Sequence, residues 1–560
     1  MINQKAQEII GRILTFGVLG ITLFVEPWRS SEPINAPKML LLSICAFSAL
    51  FVIGSSWNRI LWDRFKTVLI VVLSFIFFST LSVVLSKDNI LVGLFGIKGR
   101  STGLITYFSL ALLFLASAML QSKRYYGQII KFLLVAGAAN LIYNLMYIFG
   151  FDPIPWNNPY RTILGTFGNP NFISSFLGII VSALFALLLD GKSNKKARIL
   201  AGCTIPIAFF QIIFSNSIQG VFVSAIGCAA VFFFFIRSKS ESRNLNSAYI
   251  CSVISVGLIA ILGMLQKGPL ASYIYKPSVS FRGEYWAAGL NMGMSNPLTG
   301  VGLDSYGTWY RLYRRPSALE RPGQSVVSDS AHNVFIDFFA SGGFPLLFAY
   351  FVIQLLVLHA IWKIIKNSSS FDATPVALIA GWIGFTSQSI ISINQVGLAV
   401  WGWVLGGSII GYAKLIEDQT GTKQKISKSV RGTKVQRSEA AISLAAIAGL
   451  VIGTLIALPP VRSDMAWRSA LKSANAGDIE KAMSMWPRNQ RTLNAGIVLF
   501  ANNGLAEKAL EWARIDVEQN SENYVSWFTL YQLQGVPDIE KLKIYEKLHE
   551  LDPLNKEFQK

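Results

Sequence analysis

Charged residues are scarce in this sequence. Only 14% of the 560 residues are Asp, Glu, Lys or Arg, whereas a soluble globular domain has about a quarter. A soluble chain of this length would fold as several domains, and each of them would need a charged surface. The scarcity therefore excludes a soluble enzyme, a disordered protein and a fibrous repeat. Most of the molecular surface is expected to face lipid.

Cysteine and histidine are rare as well, with four and three residues. The cysteines all lie in apolar runs, without the spacing of a metal site or a pairing pattern, and are predicted to be packing residues. The carboxylates between the apolar runs are scattered, with no tight pair at a ligand spacing, and no Gly-x-x-x-x-Gly-Lys-Ser/Thr loop is present. The sequence predicts no metal, no cofactor and no nucleotide site.

Long apolar runs take the place of charge, and the mean hydropathy is +0.45. Each run of about 18 to 22 residues can cross a hydrocarbon core about 30 Å thick as a helix. The two-residue alternation of a membrane barrel is not sustained. The sequence predicts an all-α polytopic membrane protein with about 13 transmembrane helices, near residues 9–26, 39–56, 67–86, 104–121, 129–150, 170–189, 198–215, 218–236, 248–265, 344–362, 374–393, 396–416 and 440–459.

The net charge of +19 indicates orientation. Lys and Arg concentrate in alternate loops, such as 59–66, 192–198 and the basic stretch 414–437, and such loops stay in the cytoplasm. This predicts a multi-pass protein of the bacterial inner membrane with a cytoplasmic N-terminus and an extracytoplasmic C-terminal tail. The positive charge of the loops can also contact anionic lipid headgroups. No nucleic-acid partner is predicted.

Two segments depart from the rhythm of spans and short loops. Residues 266–332 form a long loop on the predicted outer side, in which Tyr285–Met294 has the pattern of a helix lying in the membrane interface. Residues 461–560 form a charged, amphipathic tail in which Gly477, Gly504 and Gly535 recur before helix-like runs. We therefore predict a transmembrane domain over 1–460 and a tetratricopeptide-like helical domain over 461–560, with another helical hairpin array as the open alternative. Such a tail could bind a protein partner.

Specific polar sequences gather in the predicted outer loops. They are Gly96-Ile97-Lys98-Gly99-Arg100, Asn158-Pro159-Tyr160-Arg161, Gly168-Asn169-Pro170-Asn171, Arg282-Gly283-Glu284-Tyr285-Trp286, Pro297-Leu298-Thr299-Gly300-Val301-Gly302 and Ser328-Asp329-Ser330-Ala331-His332-Asn333-Val334-Phe335-Ile336-Asp337. The order of the Gly-Asn-Pro-Asn, Arg…Trp…Pro-Leu-Thr-Gly-Val-Gly and His-Asn-x-x-x-Asp motifs resembles the O-antigen ligase (Wzy_C-like) family, over roughly residues 70–415. Oligosaccharide polymerases and bacterial protein O-oligosaccharyltransferases belong to the same superfamily.

The resemblance implies a GT-C-like glycosyltransferase of cell-surface polysaccharide synthesis. It implies an undecaprenyl-diphosphate-linked oligosaccharide as donor, a glycan, lipid or protein as acceptor, and an inverting, metal-independent reaction. It also implies that His332 acts on the acceptor and that arginines hold the diphosphate. Many relatives have an arginine in the turn that reads Ser215-Asn216-Ser217 here, so that role is not carried over.

His332 is also favoured by its own setting. Of the three histidines, His549 lies in the tail and His359 near the predicted inner end of a helix, whereas His332 enters a helix from a polar outer loop. Ser328, Asp329 and Ser330 are predicted to cap that helix, and a helix N-terminus disfavours the imidazolium. Asp337 lies about 140° around the helix and is a poor direct partner; a surface carboxylate is the alternative.

Arginine suits a diphosphate because its planar fork makes two permanently charged contacts. Arg161, Arg282 and Arg100 stand among glycine, aromatic and apolar residues and are the candidates for donor binding, with interfacial snorkelling as the alternative. Asn169, Asn171, Asn333 and Asp337 are predicted to support the site, although the first two also fit ordinary helix-start chemistry. Arg311, Arg314, Arg315 and Arg321 favour a surface that faces lipid headgroups or glycan.

Two other functions stay open at this point. A lipid or glycolipid transporter would place ionisable residues within its spans and show related halves, but the predicted spans are nearly free of charge and show no repeat. A scaffold that recruits partners through its tail would need fewer spans and fewer outer motifs than this chain has.

Overall fold

The computed structural model of the protein describes residues 3–240, 242–274, 277–368, 370–419 and 438–558, without the side chains of 273, 274 and 277–280. Within these ranges the regular structure is helical, and no β-strand occurs. The basic stretch 414–437 lies outside the described residues from 420 onward. The predicted all-α fold is confirmed.

Eleven of the described helices are long and apolar enough to cross a membrane, which confirms a polytopic membrane protein. Two further predicted spans are helical but shorter, at Leu104–Ala118 and Ala373–Ser389. The eleven are Gln4–Leu23, Asn35–Ser56, Arg59–Val84, Lys123–Ile148, Pro170–Leu189, Lys195–Phe214, Ile218–Lys239, Arg243–Met264, Val334–Asn367, Val396–Gln419 and Glu439–Ser473.

Side-chain caps explain where many of these helices begin. Asn, Ser or Asp precedes the first helical residue, and its side-chain oxygen accepts a backbone N–H bond of the first turn. This occurs at Asn58, Ser122, Asn169, Asn194, Ser217, Ser242, Asn333, Asp372 and Ser438. Apolar runs between such caps fold as helices because a backbone in lipid must satisfy its own hydrogen bonds.

Contacts between loops respect the predicted sides of the membrane. On the predicted inner side, Arg64 pairs with Asp418 at 2.7 Å and Lys363 with Glu417 at 2.8 Å. On the opposite side, the Asn35 amide donates to the Gly99 carbonyl at 2.7 Å. Each of these contacts joins loops of one predicted set, which agrees with the alternation of sides; the orientation itself stays a prediction.

One buried charge was not expected from the sequence. Lys38 lies in helix Asn35–Ser56 with no exposed surface, and its ammonium donates to the carbonyls of Ile21 and Thr22. These carbonyls end helix Val18–Leu23, where the helix dipole favours a cation. Lys38 immediately precedes the predicted span 39–56, so the prediction that the spans are nearly free of charge did not include it.

The tail is built from shorter helices, at Ala476–Ser484, Gln490–Asn502, Ala506–Gln519, Tyr524–Gln532 and Asp538–Leu551. They share a hydrophobic core that begins at Trp467 and is separate from the core of the spans. Helix Glu439–Ser473 runs through residue 460 into this region. A tetratricopeptide-like identity and a domain boundary at 460 stay predictions.

Small residues dock this last helix against helix Asn35–Ser56. A Cβ on Gly449 would come within 2.4 Å of the Phe47 carbonyl oxygen, and Ser43 donates to the Gly453 carbonyl at 3.1 Å. Close helix approach through small residues is typical of packing in membranes. Asp464, further along the same helix, then reaches the backbone N–H groups of Ser31 and Glu32 at 2.8 and 2.9 Å. The tail therefore begins against the loop after the first span, which is predicted to lie on the outer side.

Candidate active site on the predicted outer side

The helix that follows His332 is kinked and held by the glycine-rich motif. Helix Val334–Asn367 has non-helical backbone at Gly342 and Gly343. Val301 donates to the freed Ala340 carbonyl at 2.8 Å, and Gly302 donates to that of Ser341 at 2.9 Å. The Pro-Leu-Thr-Gly-Val-Gly motif thus donates hydrogen bonds to two backbone carbonyls at the kink. These bonds hold the first turns of the helix in place.

The cap of this helix is Asn333, because its Oδ1 accepts from the N–H groups of Phe335 and Ile336 at 3.0 and 3.2 Å. The prediction that Ser328, Asp329 and Ser330 cap the helix is wrong. Ser330 instead donates to the Asp337 carboxylate at 2.8 Å. These residues close a tight loop upstream of the helix.

His332 sits at the centre of that loop with a left-handed backbone, at φ 55°. The backbone N–H of His332 donates to Ser330 Oγ at 2.9 Å, and the backbone N–H of Ala331 donates to Asp337 Oδ1 at 2.7 Å. Asp337 is linked to His332 through Ser330, and no direct hydrogen bond joins the two side chains among the described contacts. Asp337 therefore shapes the loop, in agreement with its expected poor geometry as a direct partner.

The imidazole of His332 is kept neutral. Burial, together with the positive charges of Arg282 and Arg100, lowers the pKa of His332 to about 4, against the opposing effect of the Asp329 carboxylate. Desolvation disfavours the charged ring and nearby cations repel it. The ring can accept a proton at neutral pH, as predicted, but the main physical cause is burial.

Arg100 is a shared anchor of the site. Its guanidinium donates to the Asp329 carbonyl, and its Nε lies 3.7 Å from Asp304 Oδ1. The carboxylates of Asp304, Asp329 and Asp337 all act on its charge. Asp304 also accepts from Ile97 N–H at 2.9 Å, which fixes the turn that carries Arg100. Arg100 is thus largely engaged by the protein.

Arg282 differs from Arg100 in having no paired carboxylate among the described residues. It lies on helix Pro277–Ser295, which confirms a helix over Tyr285–Met294. Its side chain is partly buried, and burial alone lowers the pKa of its guanidinium. A partly buried cation without a counter-charge is costly unless an anion binds it. Arg282 is thus a partly buried cation without a carboxylate partner among the described residues.

Aromatic rings form one wall beside His332. The Tyr285 ring centre lies 5.7 Å from that of His332 and 5.9 Å from that of Tyr310. Tyr306 donates from its hydroxyl to the Tyr285 carbonyl. No site role was predicted from the sequence for Tyr306, Tyr310 or Asp304, because their partners are distant along the chain, and Asp329 was predicted only to cap a helix.

The other predicted residues lie in a separate cluster around the Asn158–Arg161 loop. Arg161 is exposed, with a left-handed backbone at φ 51°. Asn169 caps helix Pro170–Leu189 and donates to the Tyr160 hydroxyl at 3.0 Å, and Asn171 accepts from Ser217 Oγ at 2.7 Å. None of the described contacts links this cluster to His332. Their predicted roles stay predictions.

Two arginines of the long loop, Arg311 and Arg314, face the tail rather than lipid or glycan. Arg314 and Asp552 are buried and pair through Nη2 at 2.8 Å, and Arg311 pairs with Asp552 at 2.9 Å. Arg311 also lies over the Tyr524 ring at 4.4 Å. The predicted lipid-facing or glycan-facing surface is therefore wrong for these two residues, which dock the tail onto the long loop.

Metal ligands do not converge in the part of the chain that the structure describes, where no group of three His, Cys, Asp or Glu side chains could hold an ion. The four cysteines are free. The polar groups that do converge are His332, Arg282, Arg100 and Asp337, which we call the His332 cluster. They could hold an anion and accept a proton.

Residues 173–351 match the family model described as O-antigen ligase. The resemblance to this family is confirmed. The matched residues include Arg282, His332 and Asp337 of the cluster and the helix cap Asn333, whereas Arg100 and Arg161 precede them. No curated protein matches the chain. The O-antigen ligase family supports a membrane protein with a glycan-transferring function in polysaccharide synthesis.

Proposed function

We propose that the protein is an integral-membrane glycosyltransferase that moves a glycan from undecaprenyl diphosphate to an acceptor hydroxyl, with the His332 cluster as its active site. The observation that carries the proposal is a neutral histidine beside a partly buried arginine for which the described residues provide no carboxylate partner. Transfer from a diphosphate needs both features, a proton acceptor and a cation for the leaving group.

In the proposed reaction the acceptor oxygen attacks the anomeric carbon of the donor sugar. The bond from that carbon to the diphosphate oxygen breaks with inversion, and the acceptor proton passes to the imidazole of His332. The diphosphate leaves as an anion that needs no proton, because arginine stabilises the developing charge. We propose that no metal takes part.

Binding of the donor would also tune the base. The positive charges of Arg282 and Arg100 now depress the pKa of His332. An anionic diphosphate between these groups would offset that charge, so the imidazole would become more basic when the donor is present. Donor binding would then prepare the site for the acceptor proton.

The arginines differ in their proposed contributions. Arg282 would contact the diphosphate directly, since no carboxylate is paired with it among the described residues. Arg100 would add positive charge while it holds the Asp329 carbonyl. Arg161 keeps its predicted role in donor binding, as an outer contact whose exposure predicts a smaller effect.

The acceptor separates three related activities. A ligase, a repeat-unit polymerase and a protein O-oligosaccharyltransferase need the same donor site and base, and they differ in the hydroxyl that attacks. We propose ligase-like transfer at the outer face of the bacterial inner membrane, with the other two as alternatives.

The experiment is transfer by the purified protein in detergent or nanodiscs, with an undecaprenyl-diphosphate-linked oligosaccharide and defined acceptors. Product analysis would distinguish chain extension, transfer to a terminal sugar and transfer to protein. We expect transfer by the wild type and its loss in His332→Ala. Undiminished transfer by His332→Ala would contradict the proposed base, and uptake of glycolipid into proteoliposomes without any product would favour a transporter.

A further inference from the structure

Arg491 of the tail contacts both chain segments that carry the His332 cluster. This residue lies in the first turn of helix Gln490–Asn502. One end of its guanidinium is 2.5 Å from the Asp329 carboxylate, and the other end donates to the Lys98 carbonyl at 2.9 Å. Asp329 stands three residues before His332, and Lys98 stands two before Arg100. One side chain of the tail thus joins both segments of the site.

The segments that carry Arg100 and His332 also contact each other directly at Asp329. Arg100 donates to the Asp329 backbone carbonyl, while Arg491 binds the Asp329 side chain. On its other side Asp329 packs closely against Gly307, where a Cβ would come within 2.6 Å of Asp329 Oδ1. Asp329 is therefore held from three directions, and the tail supplies one of them.

A half-exposed ion pair is usually worth little, because ordering two long side chains offsets the attraction. In this molecule, contacts other than those of Arg491 already hold the tail in place. Asp552 pairs with buried Arg314, Asp464 pairs with Lys98 at 3.0 Å, and Thr492 accepts from Lys98 at 3.1 Å. The helix that carries Arg491 is thus already placed, so the ordering cost falls mainly on one side chain.

We propose that Arg491 is a positioning residue, through which the tail holds the loop of His332 and the turn of Arg100 in their relative places. The tail is then a structural part of the active site as well as a surface for partners. The inference deepens the proposed function, and its effect on transfer rests on that function.

The chain offers a matched control. Arg514 pairs with Glu540 at 2.7 Å within the tail, and its side chain is 48% exposed, as is that of Arg491. Arg491→Gln and Arg514→Gln therefore remove similar ion pairs from the same region, and only the first pair reaches the site. Asp329→Asn removes the other partner, and Arg491→Lys keeps the charge but not the planar fork.

The first measurement is amide hydrogen exchange of the purified full chain, which needs no substrate. The Ala331 and His332 amides are bonded to Asp337 and Ser330. We expect peptides covering 328–333 to exchange about tenfold faster in Arg491→Gln than in the wild type, and to be unchanged in Arg514→Gln. Equal exchange in both variants would overturn the inference, whatever the transfer assay shows.

The second measurement is steady-state transfer. We expect kcat/KM to fall about tenfold in Arg491→Gln, since small misplacement of reacting groups lowers rates strongly. Arg491→Lys should recover part of the loss, and Arg491→Gln combined with Asp329→Asn should be no slower than the slower single variant. Additive losses would overturn the coupling. A wild type without transfer would count against the proposed function, and exchange would still decide the role of Arg491.

Discussion

Two arginines that look alike in the sequence occupy different surroundings in the molecule. Arg282 and Arg161 each stand alone among glycine, aromatic and apolar residues in a predicted outer loop. Arg282 is partly buried and close enough to His332 to lower its pKa, whereas Arg161 is exposed on a loop with no described contact to that cluster. Because charged residues are scarce, the sequence alone identifies both arginines as candidates for donor binding. The structure distinguishes them, because only Arg282 is partly buried close to His332.

The same contrast holds for the asparagines. Asn333 and Asn169 both cap a membrane helix with their side chains. Asn333 is adjacent to His332, while Asn169 ties its helix to Tyr160. The two asparagines thus play a similar capping role, and only Asn333 is expected to influence the proposed active site. The following predictions test that difference.

The largest effect is expected at the base. His332→Ala should lower kcat by about 10²- to 10⁴-fold, the usual contribution of a positioned proton acceptor. His359 lies in the C-terminal half of helix Val334–Asn367. His359→Ala serves as the matched histidine control and should retain transfer. Equal losses in the two variants would show that the effect comes from folding rather than from the base.

The next effect separates the two arginines. Arg282→Ala should lower kcat/KM by about 10²-fold, because a developing anion loses a donor in a water-poor site. Arg161→Ala should lower it only about threefold, as for an exposed charge. Arg282→Lys should restore only part of the rate, since ammonium lacks the two-pronged geometry. Steady-state transfer measures all three variants.

A smaller effect is expected in the pH dependence. In the wild type, kcat/KM should fall as the pH drops through about 4, where free His332 becomes protonated. Arg282→Gln removes a positive charge, so the pKa of His332 should rise and the acid limb should move to higher pH. Arg161→Gln should leave the limb in place. A limb that moves equally in both variants would contradict the separation of the two clusters.

The smallest effect concerns the two helix caps. Asn333→Ala and Asn169→Ala should each cost about 1 kcal/mol of stability, measured as thermal unfolding in one detergent. The transfer rate of Asn333→Ala should be several-fold lower than that of Asn169→Ala, because the helix that Asn333 caps follows the His332 loop directly. Equal transfer rates at matched stability would show that the Asn333 cap does not influence the site.

Much of the fold could be predicted from the sequence because lipid imposes a simple rule on apolar runs. All thirteen predicted spans are helical, although Leu104–Ala118 and Ala373–Ser389 are short. The boundaries of the helices were predicted less accurately than their existence. Helix Val334–Asn367 begins ten residues before the predicted span, since its kink at Gly342 and Gly343 interrupts the apolar pattern.

The site could be predicted only in part. His332, Arg282, Arg100 and Asp337 do converge, and each had a local signal in rarity or motif. The partners that fix them, such as Asp304 and Arg491, depend on contacts between residues more than 150 positions apart. The pairing of Arg311 and Arg314 with Asp552 has the same origin, so the interpretation of these two residues as a surface facing lipid headgroups or glycan is wrong.

Binding of undecaprenyl diphosphate itself, without glycan or acceptor, tests the central claim most directly because it isolates the proposed anion site from catalysis. Affinity should be measured for the wild type, Arg282→Ala and Arg161→Ala in nanodiscs of one composition. We predict that Arg282→Ala weakens binding at least about tenfold, as expected for loss of a charge-assisted contact, and that Arg161→Ala weakens it much less. Equal affinities in Arg282→Ala and the wild type, or a greater loss in Arg161→Ala, would contradict the placement of the donor at the His332 cluster.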